Sequence, residues 1–187
     1  MFALRSLVYS VGLASLLEVQ AAPAPSSSSK CVETNLIQNP SFEAPRFSPW
    51  LNFHGATAGS SGDVKAQDMH RYFVANLVPV DNFISVRQPV TDLTIGQSYS
   101  LKFWYGLGTN QHLHQDVCSL TVTLNGEVAG DSIDLAPSTA GRFKMAERTF
   151  VADTTIKTVR FEFNCGGSIG EVDALLDNVS LVARCSS

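Results

Sequence analysis

The chain contains little charge and has no long block of either sign. Charged residues make up 16% of the 187 residues, and the formal net charge is −4. An average soluble protein has about 25% charged residues. The missing basic patch argues against nucleic acid and against an anionic membrane surface as partners. The charge composition does not exclude a neutral ligand.

Long apolar runs are missing beyond the N-terminus. Arg5 precedes an apolar run over residues 7–17, and an A-x-A-like site follows at 19–21. This pattern predicts a secretory signal peptide over 1–21, because its apolar run is shorter than the roughly 18 residues of a membrane helix. Residues 22–30 (APAPSSSSK) read as a disordered Pro/Ser linker. We therefore expect a secreted, extracellular, monomeric domain over 31–187, with no membrane partner.

No segment has a helical pattern, whereas short alternating strands recur along the chain. Alternation is clearest over 98–106, 117–124, 157–165 and 175–185. Asn125-Gly126 predicts a hairpin that returns over 127–133. Weaker strands are expected over 50–54, 64–67, 71–77, 83–90 and 143–151. This spacing predicts an all-β antiparallel sandwich, a jelly roll, with a closed barrel as the alternative.

The four cysteines include no C-x-x-C pair, which argues against a zinc site. In an exported chain they are expected to form disulfides, and their spacing alone allows three pairings. The strand pattern favours one of them. Cys118 and Cys165 lie on the apolar faces of their strands, while Cys31 and Cys185 flank the first and last strands. We predict the pairs Cys118–Cys165 and Cys31–Cys185.

Two carboxylates stand against predicted strands at opposite ends of the domain. Glu43 follows the first apolar segment, and Asp177 lies on the apolar face of the last strand. A carboxylate in that position needs an ion, an ion pair or hydrogen-bond donors. If the two end strands are neighbours, the carboxylates converge and form an oxygen-lined site that suits calcium. The alternative is that Asp177 accepts backbone amides and Glu43 is solvated.

Three stretches resemble the cellulase-C type carbohydrate-binding modules of families 4, 9 and 22. They are NLIQNPSFEAP…W, ISVRQPVTDLTIGQSYSLKFWY and LLDNVSLV. The positions of Cys118 and Cys165 resemble fungal secreted members, whereas Pro40 stands where glycine is common. The resemblance implies a galactose-binding-like jelly roll, a structural calcium held by Glu43 and Asp177, and a polysaccharide or glycan partner.

A sugar site on such a sheet combines aromatic rings with polar side chains on the outward face. We expect the sheet opposite the chain ends to present these groups. Trp104 is the main candidate, unless it packs under a loop or against the second sheet. The other candidate ligand-binding residues are Lys102, Arg87, Trp50, Tyr72 and His112. The alternatives are a core or loop anchor for Trp50, and solvated side chains for Arg87 and His112. Gln88 alternates with apolar residues, so it is interpreted as a buried structural amide.

Catalytic motifs are not recognisable in the sequence. Glycoside hydrolysis normally needs two carboxylates about 5–10 Å apart, and no acidic pair is singled out by its context. No Ser/His/Asp order stands out in the sequence. We therefore predict a non-catalytic binding module. The alternatives are a small jelly-roll glycoside hydrolase or lyase, and a secreted interaction protein without sugar binding.

Overall fold

The computed structural model describes residues 34–53, 56–59, 64–68, 70–78, 83–109, 118–166 and 171–185. The chain divides into two units, Met1–Lys30 and Cys31–Ser187, and all described residues belong to the second. The predicted signal peptide, the Pro/Ser linker, Cys31 and His112 lie outside the described residues. Within these ranges no helix has the length and apolar character needed to cross a membrane.

The described ranges form eleven strands in two antiparallel sheets. The strands are β1 Leu51–Phe53, β2 Thr57–Gly59, β3 Tyr72–Leu77, β4 Phe83–Val90, β5 Ser98–Leu107, β6 Cys118–Leu124, β7 Glu127–Val128, β8 Ile133–Leu135, β9 Arg142–Val151, β10 Lys157–Cys165 and β11 Val172–Ala183. The six-stranded sheet has the order β1-β4-β10-β6-β7, with β8 also paired to β6, and the five-stranded sheet has the order β2-β3-β11-β5-β9. The predicted antiparallel sandwich is confirmed.

Alternating burial along the strands builds the core between the sheets. In β10, for example, Val159, Phe161 and Phe163 are fully buried, while the residues between them are partly exposed. Each sheet therefore has an inner face, which packs against the other sheet, and an outer face. A second, smaller cluster of Val64, Tyr72, Val74 and Leu175 lies on the outer face of the five-stranded sheet.

Most predicted strands are present, and two differences have a clear cause. Residues 64–67 do not form a strand: they lie over the five-stranded sheet, where Val64 packs on Leu175 and neighbouring side chains. Strand β2, Thr57–Gly59, was not predicted because its three residues are too short for an alternation to be visible. The predicted return strand over 127–133 is divided into β7 and β8.

The two ends of the domain lie side by side, as predicted. Leu36 donates its N–H to the carbonyl of Leu181 (2.9 Å), and Val179 donates to the carbonyl of Pro40 (3.0 Å). These bonds lie beyond Leu176, the last residue of β11 that pairs with β3. The N-terminal segment therefore pairs with the part of β11 that β3 does not reach.

Gln88 joins this N-terminal segment to the six-stranded sheet. Its side-chain amide donates to the carbonyl of Gln38 (2.9 Å) and accepts the N–H of the same residue (2.8 Å). Gln88 is 1% exposed. The interpretation of Gln88 as a buried structural amide is confirmed.

Trp50 belongs to the core, so its prediction as a ligand-binding residue was wrong. Its ring stacks on Phe42 with centroids 5.1 Å apart and also contacts Phe161. The indole N–H donates to the carbonyl of Asn39 (2.9 Å). With its ring packed against Phe42 and Phe161, its N–H bonded and only 4% of its surface exposed, Trp50 cannot stack on a sugar.

The predicted disulfide between Cys118 and Cys165 is present. The two residues are register partners on β6 and β10, both on the inner face of the six-stranded sheet. Cys185 is also disulfide-bonded. Its expected partner, Cys31, is outside the described residues, so that pairing stays a prediction.

Candidate functional site

Trp104 lies on the outer face of the five-stranded sheet and is partly exposed. Its strand neighbours Phe103 and Leu101 face the core, which turns Trp104 and Lys102 outward. Across the sheet, Trp104 pairs with Asp177 on β11 and with Met145 on β9. Met145 is 50% exposed. The ring therefore forms part of an accessible surface, as the alternation in β5 predicted.

Polar groups continue this surface along β5 and β9. Lys102 is exposed and pairs in register with exposed Glu147. Ser100 donates its hydroxyl to Glu147 Oε1 at 2.6 Å. A depression of about 310 Å³ lies here, lined by Ser100, Lys102, Glu147, Val182, Ala183, Arg184 and Cys185. We call Trp104, Lys102, Met145 and Glu147 the Trp104 platform.

The Trp104 platform is in the same sheet as the last strand, which corrects one expectation. We expected the sheet opposite the chain ends to present the aromatic ring, but β5 pairs directly with β11. Alternation shows which face of a strand a residue occupies, but it does not show which sheet the strand joins.

Tyr72 lies on this same outer face, yet it is fully buried, so its prediction as a ligand contact was wrong. It packs with Val64, Val74 and Leu175, and its ring meets Phe143 edge-on with centroids 5.5 Å apart. Val64 and Ala66 pack in this cluster, and they belong to residues 64–68 and 70–71, here called the covering segment. No pattern in the sequence indicated that this segment folds over the sheet.

Asp177 and Glu43 both fasten the covering segment through backbone N–H groups. Asp177 Oδ2 accepts from Gln67 (2.8 Å) and Asp68 (3.3 Å). Glu43 Oε1 accepts from His70 (2.7 Å) and Arg71 (2.5 Å). Asp177 Oδ1 accepts from Asn178 (2.7 Å), so both oxygens of this buried carboxylate are used. These donors supply what a carboxylate inside a protein needs.

The burial of the Asp177 carboxylate has an electrostatic cost. Burial raises the pKa of Asp177 from 3.8 to about 6. The N–H groups of Gln67, Asn178 and Asp68 oppose that rise, while the negative charge of Asp68 adds to it. The pKa is raised because burial destabilises the charged carboxylate more than these hydrogen bonds stabilise it.

The surroundings of Glu43 and Asp177 can be compared with what a calcium ion requires. A calcium ion takes six to eight oxygen ligands. In the described part of the chain, no group of three or more His, Cys, Asp or Glu side chains is placed to hold a metal. The bonded N–H groups point at oxygens that an ion would need. An ion at this position therefore requires the covering segment to turn those N–H groups away.

Arg87 lies on the opposite side of the sandwich from Trp104. It is partly exposed on the outer face of the six-stranded sheet and pairs with Leu51 on β1 and Arg160 on β10. The predicted ligand-binding residues are thus divided: Trp104 and Lys102 share one surface, Arg87 belongs to another, and Trp50 and Tyr72 are buried. His112 lies outside the described residues.

A groove around Arg87 contains residues that sequence reasoning did not single out. Its volume is about 310 Å³, and its lining is Arg87, Thr123, Asn125, Gly126, Thr158 and Arg160. The alternation of Lys157–Cys165 places Thr158 and Arg160 on one face, which was the available signal. The alternation did not show which strand pairs with β10. It therefore did not show that Arg160 lies beside Arg87. We call this the arginine groove.

No family model and no curated protein sequence matches the chain. Solved structures match its fold. A family 61 carbohydrate-binding module, TmCBM61, in complex with β-1,4-galactotriose has a TM-score of 0.60 and 19% identity, over 81% of this chain and 99% of that one. The CBM22-1 xylan-binding domain of Paenibacillus barcinonensis Xyn10C has a TM-score of 0.57 and 9% identity, over 84% and 99%.

An arabinose-bound α-L-arabinofuranosidase also matches, with a TM-score of 0.60 and 12% identity. This match covers 81% of the present chain but 27% of that enzyme. Identities this low establish the fold alone. The chain is therefore structurally similar to carbohydrate-binding modules: it is a two-sheet antiparallel β-sandwich with their jelly-roll fold.

Proposed function

We propose that this domain is a non-catalytic carbohydrate-binding module that holds a polysaccharide or glycan on the Trp104 platform. The observation that carries the proposal is the partly exposed Trp104 ring beside exposed Lys102 and Glu147 on one sheet face. The fold supports it, because the two modules compared above are matched over nearly their whole length.

The chemistry of the Trp104 platform suits a sugar. The C–H groups of a pyranose pack on an aromatic face, and Met145 beside the ring adds apolar surface. Lys102 donates hydrogen bonds and Glu147 accepts them, so together they serve hydroxyl groups in both senses. Such binding needs no pair of catalytic carboxylates. The hydrolase alternative predicts the release of reducing ends, which a reducing-sugar assay detects.

Binding to neutral polysaccharides tests the proposal. In affinity electrophoresis against galactan, xylan and β-glucan, we expect Trp104→Ala to weaken retention by about tenfold or more, as for a central aromatic contact. Phe83→Ala is the matched control, because it removes a ring that is 40% exposed on the other sheet. Equal loss in both variants, or full retention by Trp104→Ala, contradicts the proposal.

The proposed function also includes an extracellular location and a calcium ion. The disulfide between Cys118 and Cys165 suits an oxidising, extracellular compartment. Calcium at Glu43 and Asp177 stays a prediction. If the ion binds, these two side chains hold it, and it serves to fix the covering segment against the sheet. Bound calcium would favour the charged form of Asp177, so the stability of the domain would rise with pH.

A further inference from the structure

A cleft lies between the edges of the two sheets. β7 and β9 are the last strands in the order of their sheets, and a cavity of about 280 Å³ is lined by the β6–β7 hairpin, the end of β9, Asp153 and Lys157. We call it the edge cleft. It shares no described lining residue with the Trp104 platform or the arginine groove. We propose that the edge cleft is a second binding site and that it takes one neutral sugar unit.

A buried ammonium group lines the edge cleft. Lys157 is the first residue of β10, on the inner face in the same row as Val159, and only 6% of its surface is exposed. Its Nζ lies 2.7 Å from Asp153 Oδ1, and Asp153 is its one side-chain partner among the described residues. An ammonium has three N–H donors, and burying donors without partners costs free energy. Lys157 therefore has further donors for the oxygen of a ligand in the cleft.

The charge of the edge cleft argues against an anionic ligand. Its lining holds one ammonium and two carboxylates, Asp153 and Glu127. The hydrogen bond from Lys157 holds the pKa of Asp153 below its usual value. Glu127 is exposed, and its side chain has no partner in the described part of the chain. Carboxylate oxygens accept hydrogen bonds from hydroxyl groups. The polar lining therefore suits a hydroxyl-rich ligand without negative charge.

The remaining lining of the edge cleft is largely apolar. Leu124 and Phe150 contribute to it, and the Phe150 ring is held in place by stacking on Tyr99 with centroids 5.7 Å apart. Val128 from β7 and Val151 from β9 are 63% and 61% exposed. These two strands belong to different sheets, so each sheet contributes an uncovered apolar side chain to the same cleft. Such surface suits the C–H face of a sugar ring.

The ligand must meet the polar and the apolar groups together. A purely apolar ligand would leave the donors of Lys157 without a partner, and an anion would meet two carboxylates. A neutral sugar has C–H faces for the apolar lining and hydroxyl groups that both donate and accept. The cavity is slightly smaller than the range of about 300–1,000 Å³ that is common for ligand pockets. It therefore suits one sugar unit, such as the end of a glycan chain.

The test uses the Trp104→Ala variant, so that the Trp104 platform does not contribute. Galactotriose, xylotriose and cellotriose are titrated separately to about 10 mM, which occupies most of a site with a Kd of about 1 mM. Amide chemical shifts are recorded by NMR. We expect at least one of these sugars to shift the amides of residues 127–130 and 149–151. Trigalacturonate should bind about tenfold or more weakly, because like charges repel.

Two variants in the same background identify the groups that bind. Lys157→Met removes the N–H donors and keeps an apolar stem, and Asp153 stays 69% exposed to solvent, so the fold should survive. Val128→Ser removes an exposed apolar side chain. Each should weaken binding by about fivefold or more. The matched controls are Lys144→Met and Leu51→Ser, because both residues are exposed and neither lines the edge cleft.

Three results would overturn the proposal. They are unchanged amides at the edge cleft with all of these neutral sugars, equal losses in the control variants, and binding of trigalacturonate as tight as that of the neutral sugars. Failure of the Trp104 platform to bind sugar is a separate result, since it is measured by comparing the wild type with Trp104→Ala. The edge cleft is measured in the absence of the Trp104 ring.

Discussion

At the scale of single residues, the burial of Asp177 makes the stability of the domain depend on pH. Its pKa is raised from 3.8 to about 6 because the carboxylate is buried beneath the covering segment. The native state therefore holds this proton at pH values where the unfolded chain has released it. Between these two pKa values the native state binds more protons, so the free energy of unfolding falls as pH rises.

We expect the metal-free domain to lose up to about 3 kcal/mol of stability between pH 4 and pH 6.5 through this one group. Urea unfolding in the presence of a chelator measures the loss. Asp177→Asn is the control and should flatten the dependence in this window. A repeat with calcium tests the ion: bound calcium favours the charged carboxylate, so stability would then rise with pH. An unchanged curve with calcium argues against the metal.

At the scale of elements, the covering segment depends on a few anchors. Glu43 accepts two of its N–H groups and Asp177 accepts two others, while Ser41 donates its hydroxyl to Asp68 Oδ2 at 2.9 Å. Val64 supplies apolar contact. Because the segment has no strand partners of its own, these anchors hold it over Tyr72 and next to the row that includes Trp104.

Glu43→Ala should therefore loosen the segment locally. Two charge-assisted hydrogen bonds end on Glu43 Oε1, and bonds to charged groups contribute about 1.5–3 kcal/mol each. We expect the amides of His70 and Arg71 to exchange with deuterium about ten to a hundred times faster, while the amides of β11 are unaffected. Glu171→Ala is the control, because Glu171 accepts from the Asn76 side chain (2.8 Å) and from no amide of the segment. Unchanged exchange at His70 would contradict this role.

At the scale of the whole molecule, the sandwich is closed by contacts between distant parts of the chain. The N-terminal segment pairs with β11 near the C-terminal end, and the disulfide joins β6 to β10 across 47 residues. A crosslink of this length restricts the unfolded chain by about 4 kcal/mol in the chain-entropy model. Most of its stabilisation is thus expected to act on the unfolded state.

The double variant Cys118→Ala/Cys165→Ala should lower the free energy of unfolding by about 2–5 kcal/mol. The fold should survive, since β6 and β10 remain paired along seven register positions. Urea unfolding measures the loss, and circular dichroism checks the fold. A midpoint equal to that of the wild type would show that the crosslink is not a stabilising element.

The sequence by itself determined local structure. Alternation in β4, β5 and β10 predicted their strands and showed which side chains face the core, because a strand reverses its side chains at each residue. It also predicted that Trp104 is turned outward and that Cys118 and Cys165 meet. The adjacency of the chain ends was expected from the predicted fold, because chain termini often lie close together in a domain.

Only the tertiary structure decided how these pieces combine. Trp50 and Tyr72 carry no local sign of burial, since one is covered by a ring from the first loop and the other by the covering segment. Trp104 and Arg87 are both outward-facing, yet they occupy opposite sides of the molecule. The physical reason is that periodicity along a strand records one face of one element, whereas sheet membership and covering segments depend on contacts between residues far apart in the chain.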